Sequence, residues 1–213
     1  MMELMHTYGA MLAKAVLVHT GYVLVSVAFG FLLGLALGIL LSRVPRWSGV
    51  ILPLLSVFQT IPGLVFIGVL FILWGSTAST VILALSVYAM FPVLKNTYTG
   101  ILNVEGKYLE AARGCGMSPA QTLAKVELPL AMPTIIAGLR MSAIYTVSWT
   151  VLAAMIGRGG LGIFVYQGVD SNNNTLILLG AIPAALLAVL FGAAIDLLQR
   201  KVTPRGLKKE VGK

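Results

Sequence analysis

Residues 47–94 read WSGVILPLLSVFQTIPGLVFIGVLFILWGSTASTVILALSVYAMFPVL, and none of them carries a charge. A bilayer core about 30 Å thick requires roughly 20 apolar residues per helix, so this block is long enough for two membrane spans. Trp74–Ser79 combines glycine with small polar residues and predicts a short turn between the two spans. We therefore expect span 2 near residues 49–73 and span 3 near residues 80–98.

Two further charge-free blocks flank this one, at residues 21–41 and 171–195. With an apolar segment that follows a long polar stretch, they predict span 1 near residues 20–42, span 4 near 133–156 and span 5 near 175–198. Only 10% of the 213 residues are charged, whereas a soluble domain carries about 25%. The predicted fold is an all-α integral membrane protein, a single domain with five transmembrane helices.

The lysines and arginines predict which way the chain crosses the membrane, because cytoplasmic loops are enriched in both. With the N-terminus outside, only Lys14 and Arg158 lie in external segments. The cytoplasmic segments then hold twelve basic residues: Arg43, Arg46, Lys95, Lys107, Arg113, Lys125, Arg200, Lys201, Arg205, Lys208, Lys209 and Lys213. An even number of spans would place basic clusters on opposite sides. The net charge of +8 therefore indicates orientation, with the C-terminus cytoplasmic, and not a nucleic-acid partner.

The loop between spans 3 and 4, residues 103–128, is too long to be a plain helix–helix connection. Its segment Tyr108–Arg113 consists largely of good helix formers. Gly114-Cys115-Gly116 predicts the end of that helix, because glycine readily adopts the left-handed conformation of a C-terminal cap. The loop is therefore expected to contain a first short helix that ends at a glycine hinge.

A second short helix is predicted over residues 120–127. Ser118 precedes a proline and is followed three residues later by Gln121, which is the pattern of a capping box. This helix is expected to end before Leu128-Pro129. Two helices bent about a glycine hinge would present a rigid cytoplasmic surface to a soluble partner; the alternative is a solvated connector.

The same loop resembles the EAA loop of the permease subunits of ABC importers. The matching residues are Glu110, Ala111, Ala112 and Gly114, followed by Glu127, Leu128 and Pro129. In that family the loop forms the coupling helix, which sits in a groove of the ATPase subunit. The resemblance implies a type I importer permease fold in which the coupling residues are Glu110, Ala111, Ala112, Gly114, Gly116, Leu128 and Pro129. Glu110 could instead pair with Arg113 at i+3, and Cys115 stands where the family leads us to expect a bulkier aliphatic residue.

Other segments resemble the permeases for glycine betaine, carnitine and choline. They are Gln59–Pro62, Asn96–Ile101, Gly138–Arg140, Gly157 with Gly159–Gly162, and Lys201–Leu207. The resemblance extends over about residues 20–207 and implies import of such compatible solutes. The alternatives are the same architecture for another small solute, such as an amino acid or a sulfonate, a secondary transporter or channel, and a membrane scaffold. Ion-coupled transporters commonly carry acids within their spans, but here only Asp196 lies in a predicted span, near its end.

The resemblance also implies partners. It implies two ATPase subunits, a second permease subunit that is identical or different, and an extracytoplasmic substrate-binding protein, all at the cytoplasmic membrane of a bacterium. This sequence contains no GxxxxGK[ST] loop for nucleotide phosphates. We therefore expect no enzymatic activity and no cofactor in this chain, with ATP and magnesium bound by the ATPase. The sequence has one cysteine, and its histidines and cysteine do not follow the spacing of a metal site, so we expect no metal site.

Four residues are candidates for the translocation pathway or its gate: Gln59, Arg140, Tyr145 and Trp149. Tyr145 and Trp149, with Tyr166, could form a cation–π cage for a quaternary ammonium group. However, tyrosine and tryptophan are common at membrane interfaces in any case, which favours an ordinary interfacial role for these residues.

Arg140 is the strong charge within a predicted span, and such charges face the bundle interior or water, or snorkel to the headgroups. Asp196 is expected to pair with Arg200 at i+4. Gly30, Gly34 and Gly38 recur every four residues and predict a close helix crossing. The sequence does not identify the other helix, which could belong to the same chain or to a partner permease. His19 has no ligand pattern around it in the sequence.

Overall fold

A computed structural model describes residues 2–203, with side chains from Tyr8 onward, and this range contains helices but no strands. The long helices are α1 (Met2–Arg43), α2 (Pro45–Phe58), α3 (Gly63–Trp74), α4 (Ala78–Leu102), α7 (Leu128–Thr150) and α9 (Asn174–Val202). The short ones are α5 (Gly106–Gly114), α6 (Pro119–Thr122) and α8 (Gly162–Asp170), with a π-helical segment at Leu123–Glu127 and a 3₁₀ segment at Val151–Ile156. The end of the tail motif and the basic residues from Arg205 onward lie outside the described residues.

Within the described range, four helices are long and apolar enough to cross a bilayer, and the pair α2–α3 makes a fifth if it counts as one span. The all-α membrane fold that the sequence predicts is therefore confirmed. The structure corrects one span: residues 49–73 do not form a continuous helix, because α2 and α3 meet at an angle of 89°. Pro62 causes the break, since proline lacks an amide N–H and moves the preceding residue out of the helical region.

The helix of span 1 begins well before residue 20. The part whose side chains are described, Tyr8–Arg43, already has 36 residues, about 54 Å at 1.5 Å per residue, and so exceeds the bilayer core. The extra turns are held by packing, because Ala15 contacts Leu161 and Phe164 near α8. Counting charge-free residues locates the apolar block and misses such a packed extension.

Helix α4 lies at the centre of the bundle, between α1 and α7. The three glycines of α1 form the crossing with α4: a Cβ on Gly30, Gly34 or Gly38 would come within 2.6 Å of α4 atoms. The predicted close packing is therefore confirmed, and the partner is a helix of the same chain.

The opposite side of α4 packs against α7 through a second glycine. A Cβ on Gly138 would lie 2.7 Å from the Cβ of Asn96 and 2.8 Å from the carbonyl oxygen of Pro92. The Ser142 hydroxyl donates a hydrogen bond of 2.7 Å to the carbonyl of Ala89. Two of the sequence segments singled out above, around Asn96 and around Gly138, thus meet at one helix crossing.

The second helix of the polar loop does not end before Leu128-Pro129 as predicted. It continues through the π-helical segment directly into α7, and the amide of Leu128 donates to the carbonyl of Leu123. Proline cannot make the regular helical bond and its ring crowds the carbonyl four residues earlier. One wider π turn places the proline at the start of α7 without breaking the helix.

Candidate coupling loop and translocation pathway

Helix α5 ends in a Schellman motif. Gly116 has a φ of +71°, the amide of Met117 donates to the carbonyl of Ala112 at 3.0 Å, and the amide of Gly116 donates to that of Arg113 at 2.9 Å. These are the two bonds that define this cap. The predicted stop is confirmed, and Gly116 alone takes the left-handed position, whereas Gly114 is the last residue of the helix.

Helix α6 starts with the predicted capping box. The amide of Gln121 donates to Ser118 Oγ at 3.3 Å, and the Gln121 side-chain oxygen accepts from the amide of Ser118 at 2.8 Å. Two amides that would otherwise lack partners are thereby satisfied. Both caps are local, so the loop has a defined shape before any partner binds.

The predicted coupling residues divide into two groups by exposure. Glu110, Ala111, Gly114 and Gly116 are exposed, and no neighbouring group lies within 4 Å of a Cβ built on either glycine. Ala112 lies on the buried side of α5, and Leu128 and Pro129 are half-buried in the first turn of α7. Among the described residues Glu110 makes no ion pair, so the alternative pairing with Arg113 is not formed. Only the first group is available to a partner protein.

An ion pair that the sequence analysis did not predict anchors the loop to α1. Arg43, the last residue of α1, donates to both carboxylate oxygens of Glu127, one of them at 3.2 Å from Nη1. The Glu127 side chain is 7% exposed and the Arg43 side chain 41%. The pairing joins residues 84 positions apart, so no local sequence pattern indicates it.

We expect Arg43→Ala to loosen the loop. The variant leaves the Glu127 carboxylate buried without its cation, at a cost of about 1–3 kcal/mol, below the value for a fully buried pair because water reaches Arg43. Limited proteolysis in detergent should then cut residues 103–127 faster than in the wild type. Arg46→Ala, which removes an exposed arginine of the next helix, is the control and should change nothing. Equal cleavage of all three proteins would contradict the anchoring role.

Three of the four pathway candidates border one cleft of about 350 Å³. Its lining residues are Gln59, Tyr88, Pro92, Tyr145, Thr146 and Trp149. They come from the α2–α3 bend, from α4 and from α7. None of these side chains is charged. The tyrosine of α8, Tyr166, does not line it.

Aromatic packing holds the bend beside this cleft. The Tyr88 hydroxyl donates to the carbonyl of Ile61 at 2.8 Å, and the Tyr88 ring stacks on Trp149 with centroids 4.4 Å apart. Gly63 begins α3 directly against the Trp149 ring, which leaves no room for a Cβ. The unwound backbone is therefore fixed by side chains of two other helices.

A second cavity of about 170 Å³ adjoins the first through Gln59. Its polar lining includes Ser56, Lys95 and Thr99. Lys95 lies within α4 and is exposed, seven residues before the end of the helix on the side of the polar loop. Together the two cavities form a groove along α4, in which polar side chains such as Gln59 and Lys95 lie among apolar and aromatic ones.

Arg140, the fourth pathway candidate, lies elsewhere. Its Nε donates to Asp196 on α9 at 2.8 Å, and the pair borders a different cavity beside Gly192. The predicted pairing of Asp196 with Arg200 is therefore wrong. Arg140 lies within a span, where an unpaired charge is costly, so an ion pair with Asp196 stabilises it strongly. Arg200 is exposed at the end of α9, where an ion pair contributes little free energy.

His19 has a structural role that the sequence analysis missed. Its Nδ1 accepts from the amide of Leu161 at 3.4 Å, so the proton resides on Nε2, which donates to the carbonyl of Val147 at 3.1 Å. The fully buried ring thus ties α1 to α7 and to the glycine turn before α8. The partners lie 128 and 142 residues away in sequence.

The chain is similar in sequence to proteins of a known family. The family model "Binding-protein-dependent transport system inner membrane component" matches residues 30–207. The choline transport system permease protein OpuBB of Bacillus subtilis is 36% identical, over 97% of this chain and 95% of the relative. The glycine betaine/carnitine/choline transport system permease protein OpuCD of the same species is 42% identical, over 87% of this chain and 81% of the relative.

Comparison with solved structures gives the fold. A chain of the MetNI methionine ABC transporter in an inward-facing conformation superimposes with a TM-score of 0.82 at 24% identity, covering 91% of this chain and 96% of that chain. The fold is therefore that of type I ABC importer permeases, as the sequence resemblance implies. From the family model and the relatives together, the chain belongs to the inner membrane components of binding-protein-dependent transport systems.

Proposed function

We propose that this chain is the permease subunit of an importer for glycine betaine, carnitine or choline in a bacterial cytoplasmic membrane. The substrate class rests on the relatives, whose names specify these quaternary ammonium compounds. The transport role rests on one observation in this molecule, the contrast between two exposed faces of the helix bundle.

The first face is apolar over most of its length. Every exposed residue of α9 between Leu176 and Ile195 is apolar. The same holds for α1 between Leu17 and Leu40, where the large exposed side chains are Leu17, Leu24, Val25, Phe29, Leu32, Leu33 and Leu40. Such a surface suits lipid chains, because no polar group would be desolvated there.

The second face, formed by the α2–α3 bend, α4 and α7, carries exposed polar groups among apolar ones. Its exposed side chains include Ser56, Gln59, Thr60, Lys95, Thr99, Tyr145 and Ser148. Polar and charged side chains within spans face the bundle interior or a water-filled cavity, and an unwound segment such as Gln59–Pro62 is tolerated only in such surroundings. We assign this face to the translocation pathway and to contact with a second permease subunit, identical or different.

The loop of α5 and α6 supplies the coupling. It is rigid, because both caps and the Arg43–Glu127 pair hold it, and it presents Glu110 and Ala111 to the solvent. We assign Glu110, Ala111, Gly114 and Gly116 to contact with an ATPase subunit. Ala112, Leu128 and Pro129 shape the loop from inside. Two ATPase subunits bind ATP and magnesium, and their closure moves both loops together and opens the pathway outward.

The orientation follows from the basic residues. The loop end of the bundle carries Lys107, Arg113 and Lys125, and the opposite end carries Arg158 near the glycine turn. We place the loop end in the cytoplasm and the N-terminus outside. The turns at Gly157–Gly160 and Asn172–Asn173 then face the substrate-binding protein.

Uptake assays test the substrate class. The permease is expressed with its ATPase and binding protein in cells that lack other osmoprotectant transporters, and accumulation of labelled glycine betaine, carnitine and choline is measured after an osmotic upshift. Methionine and taurine serve as the amino acid and sulfonate controls. We expect accumulation of at least one quaternary ammonium compound and of neither control. Accumulation of a control alone would overturn the substrate class and leave the permease role in place.

A further inference from the structure

We infer that the cleft bordered by Gln59, Tyr88, Pro92, Tyr145, Thr146 and Trp149 is a weak binding site for the quaternary ammonium group of the solute in transit. The inference rests on the proposed function and adds to it a site within the permease itself. Aromatic side chains supply the attraction, and Tyr145 determines how strongly the cation is held.

The chemistry of the lining favours a quaternary ammonium group. Such a group has no N–H to donate, so it is recognised by the faces of aromatic rings and not by hydrogen-bond acceptors. Three of the six lining side chains are Tyr88, Tyr145 and Trp149. The Tyr88 hydroxyl already donates to Ile61 and the Thr146 hydroxyl to the carbonyl of Ser142 at 2.7 Å. These two hydroxyl groups are therefore already bonded, and the aromatic rings remain to contact a cation.

The absence of charge in the lining suits transit. None of the six lining residues is acidic, so a cation in the cleft meets no carboxylate that would trap it. Cation–π contacts are individually modest when partly solvated. A site of this kind lowers the barrier to entering the bundle and still releases its ligand.

Two of the rings are fixed and the third is exposed. Trp149 is held between the stacked Tyr88 ring and Gly63. Tyr145 precedes Trp149 by one helical turn, on the same face of α7, and is 51% exposed. A ligand therefore meets a preformed wall at Trp149 and a side chain that can close over it at Tyr145.

Gln59 gives the site a direction. It lines both this cleft and the second cavity, whose cationic residue is Lys95. Lys95 lies seven residues after Tyr88 on α4, about two helical turns nearer the cytoplasmic loop. The cation of a zwitterionic solute is thus held by the rings, while its carboxylate faces the Gln59 amide and the positively charged end of the groove.

A pair of probes of equal shape tests the site. Choline and its neutral isostere 3,3-dimethylbutan-1-ol are titrated into the complete transporter in nanodiscs, and Trp149 fluorescence is taken as the difference from a Trp149→Phe complex. We expect choline to bind about 3- to 30-fold more tightly than the isostere. The ratio should persist in Tyr145→Phe, which keeps the ring, and fall towards 1 in Tyr145→Leu.

The controls separate this inference from the proposed function. Tyr166→Leu removes a tyrosine of α8 outside the cleft and should leave the ratio unchanged, and gel filtration confirms that each complex is assembled. A ratio near 1 in the wild type, or one unaffected by Tyr145→Leu, overturns the cleft assignment while uptake of quaternary ammonium compounds still supports the transporter. No such uptake in the wild type overturns both.

Discussion

Glu110→Lys is expected to abolish substrate uptake and to leave the permease folded in the membrane. Glu110 is exposed on α5 and makes no ion pair among the described residues, so its reversal removes nothing from the interior of this chain. At an interface, a charge that loses its partner and meets a like charge weakens binding by about 2–5 kcal/mol. The ATPase should therefore no longer copurify with the permease.

Two variants make this result specific. Glu110→Gln keeps the shape and hydrogen-bonding capacity and should retain part of the copurification. Asp170→Lys makes the same charge change at the end of α8, on the opposite side of the bundle, and should leave the ATPase bound. Normal copurification and uptake in Glu110→Lys would remove Glu110 from the coupling surface without affecting the family assignment.

Gly34→Leu should prevent the bundle from folding. A Cβ on Gly34 would lie 2.6 Å from the carbonyl oxygen of Met90 and 2.8 Å from the Cβ of Val93, so α1 and α4 would have to separate. Overpacking a well-packed site typically destabilises a protein by about 1–3 kcal/mol. Here the new side chain would clash with the backbone of the central helix, so we expect a destabilisation of about 3 kcal/mol or more. The folded yield from membranes and the thermal midpoint in detergent should both fall sharply.

The matched control lies on the same helix. Gly21 has no atom within 4 Å of a Cβ built on it, so Gly21→Leu adds the same side chain to the exposed side of α1. It should express and melt like the wild type. If Gly34→Leu behaved like Gly21→Leu, the close α1–α4 crossing would not be the contact that holds the bundle together.

The local features of the polar loop could be predicted from the sequence because their causes lie within a few residues. The capping box needs only Ser118 and Gln121, three positions apart, and the α5 cap needs only a glycine after the last turn. Charge-free length likewise marks membrane helices without knowledge of their neighbours. The π turn before Pro129 was missed, because the preference against a helix at that position was overcome by continuity with α7.

The sequence by itself determined the membrane class, the loop helices and the individual pathway candidates Gln59, Tyr145 and Trp149. Only the tertiary structure decided that these three border one cleft, that Arg140 does not, and that Asp196 pairs with Arg140 and not with Arg200. It also decided the bend of α2–α3, the Arg43–Glu127 anchor and the bonds of His19. The reason is physical: caps and apolar runs act between neighbours in the chain, whereas ion-pair choice and cavity lining depend on which distant helices are brought into contact.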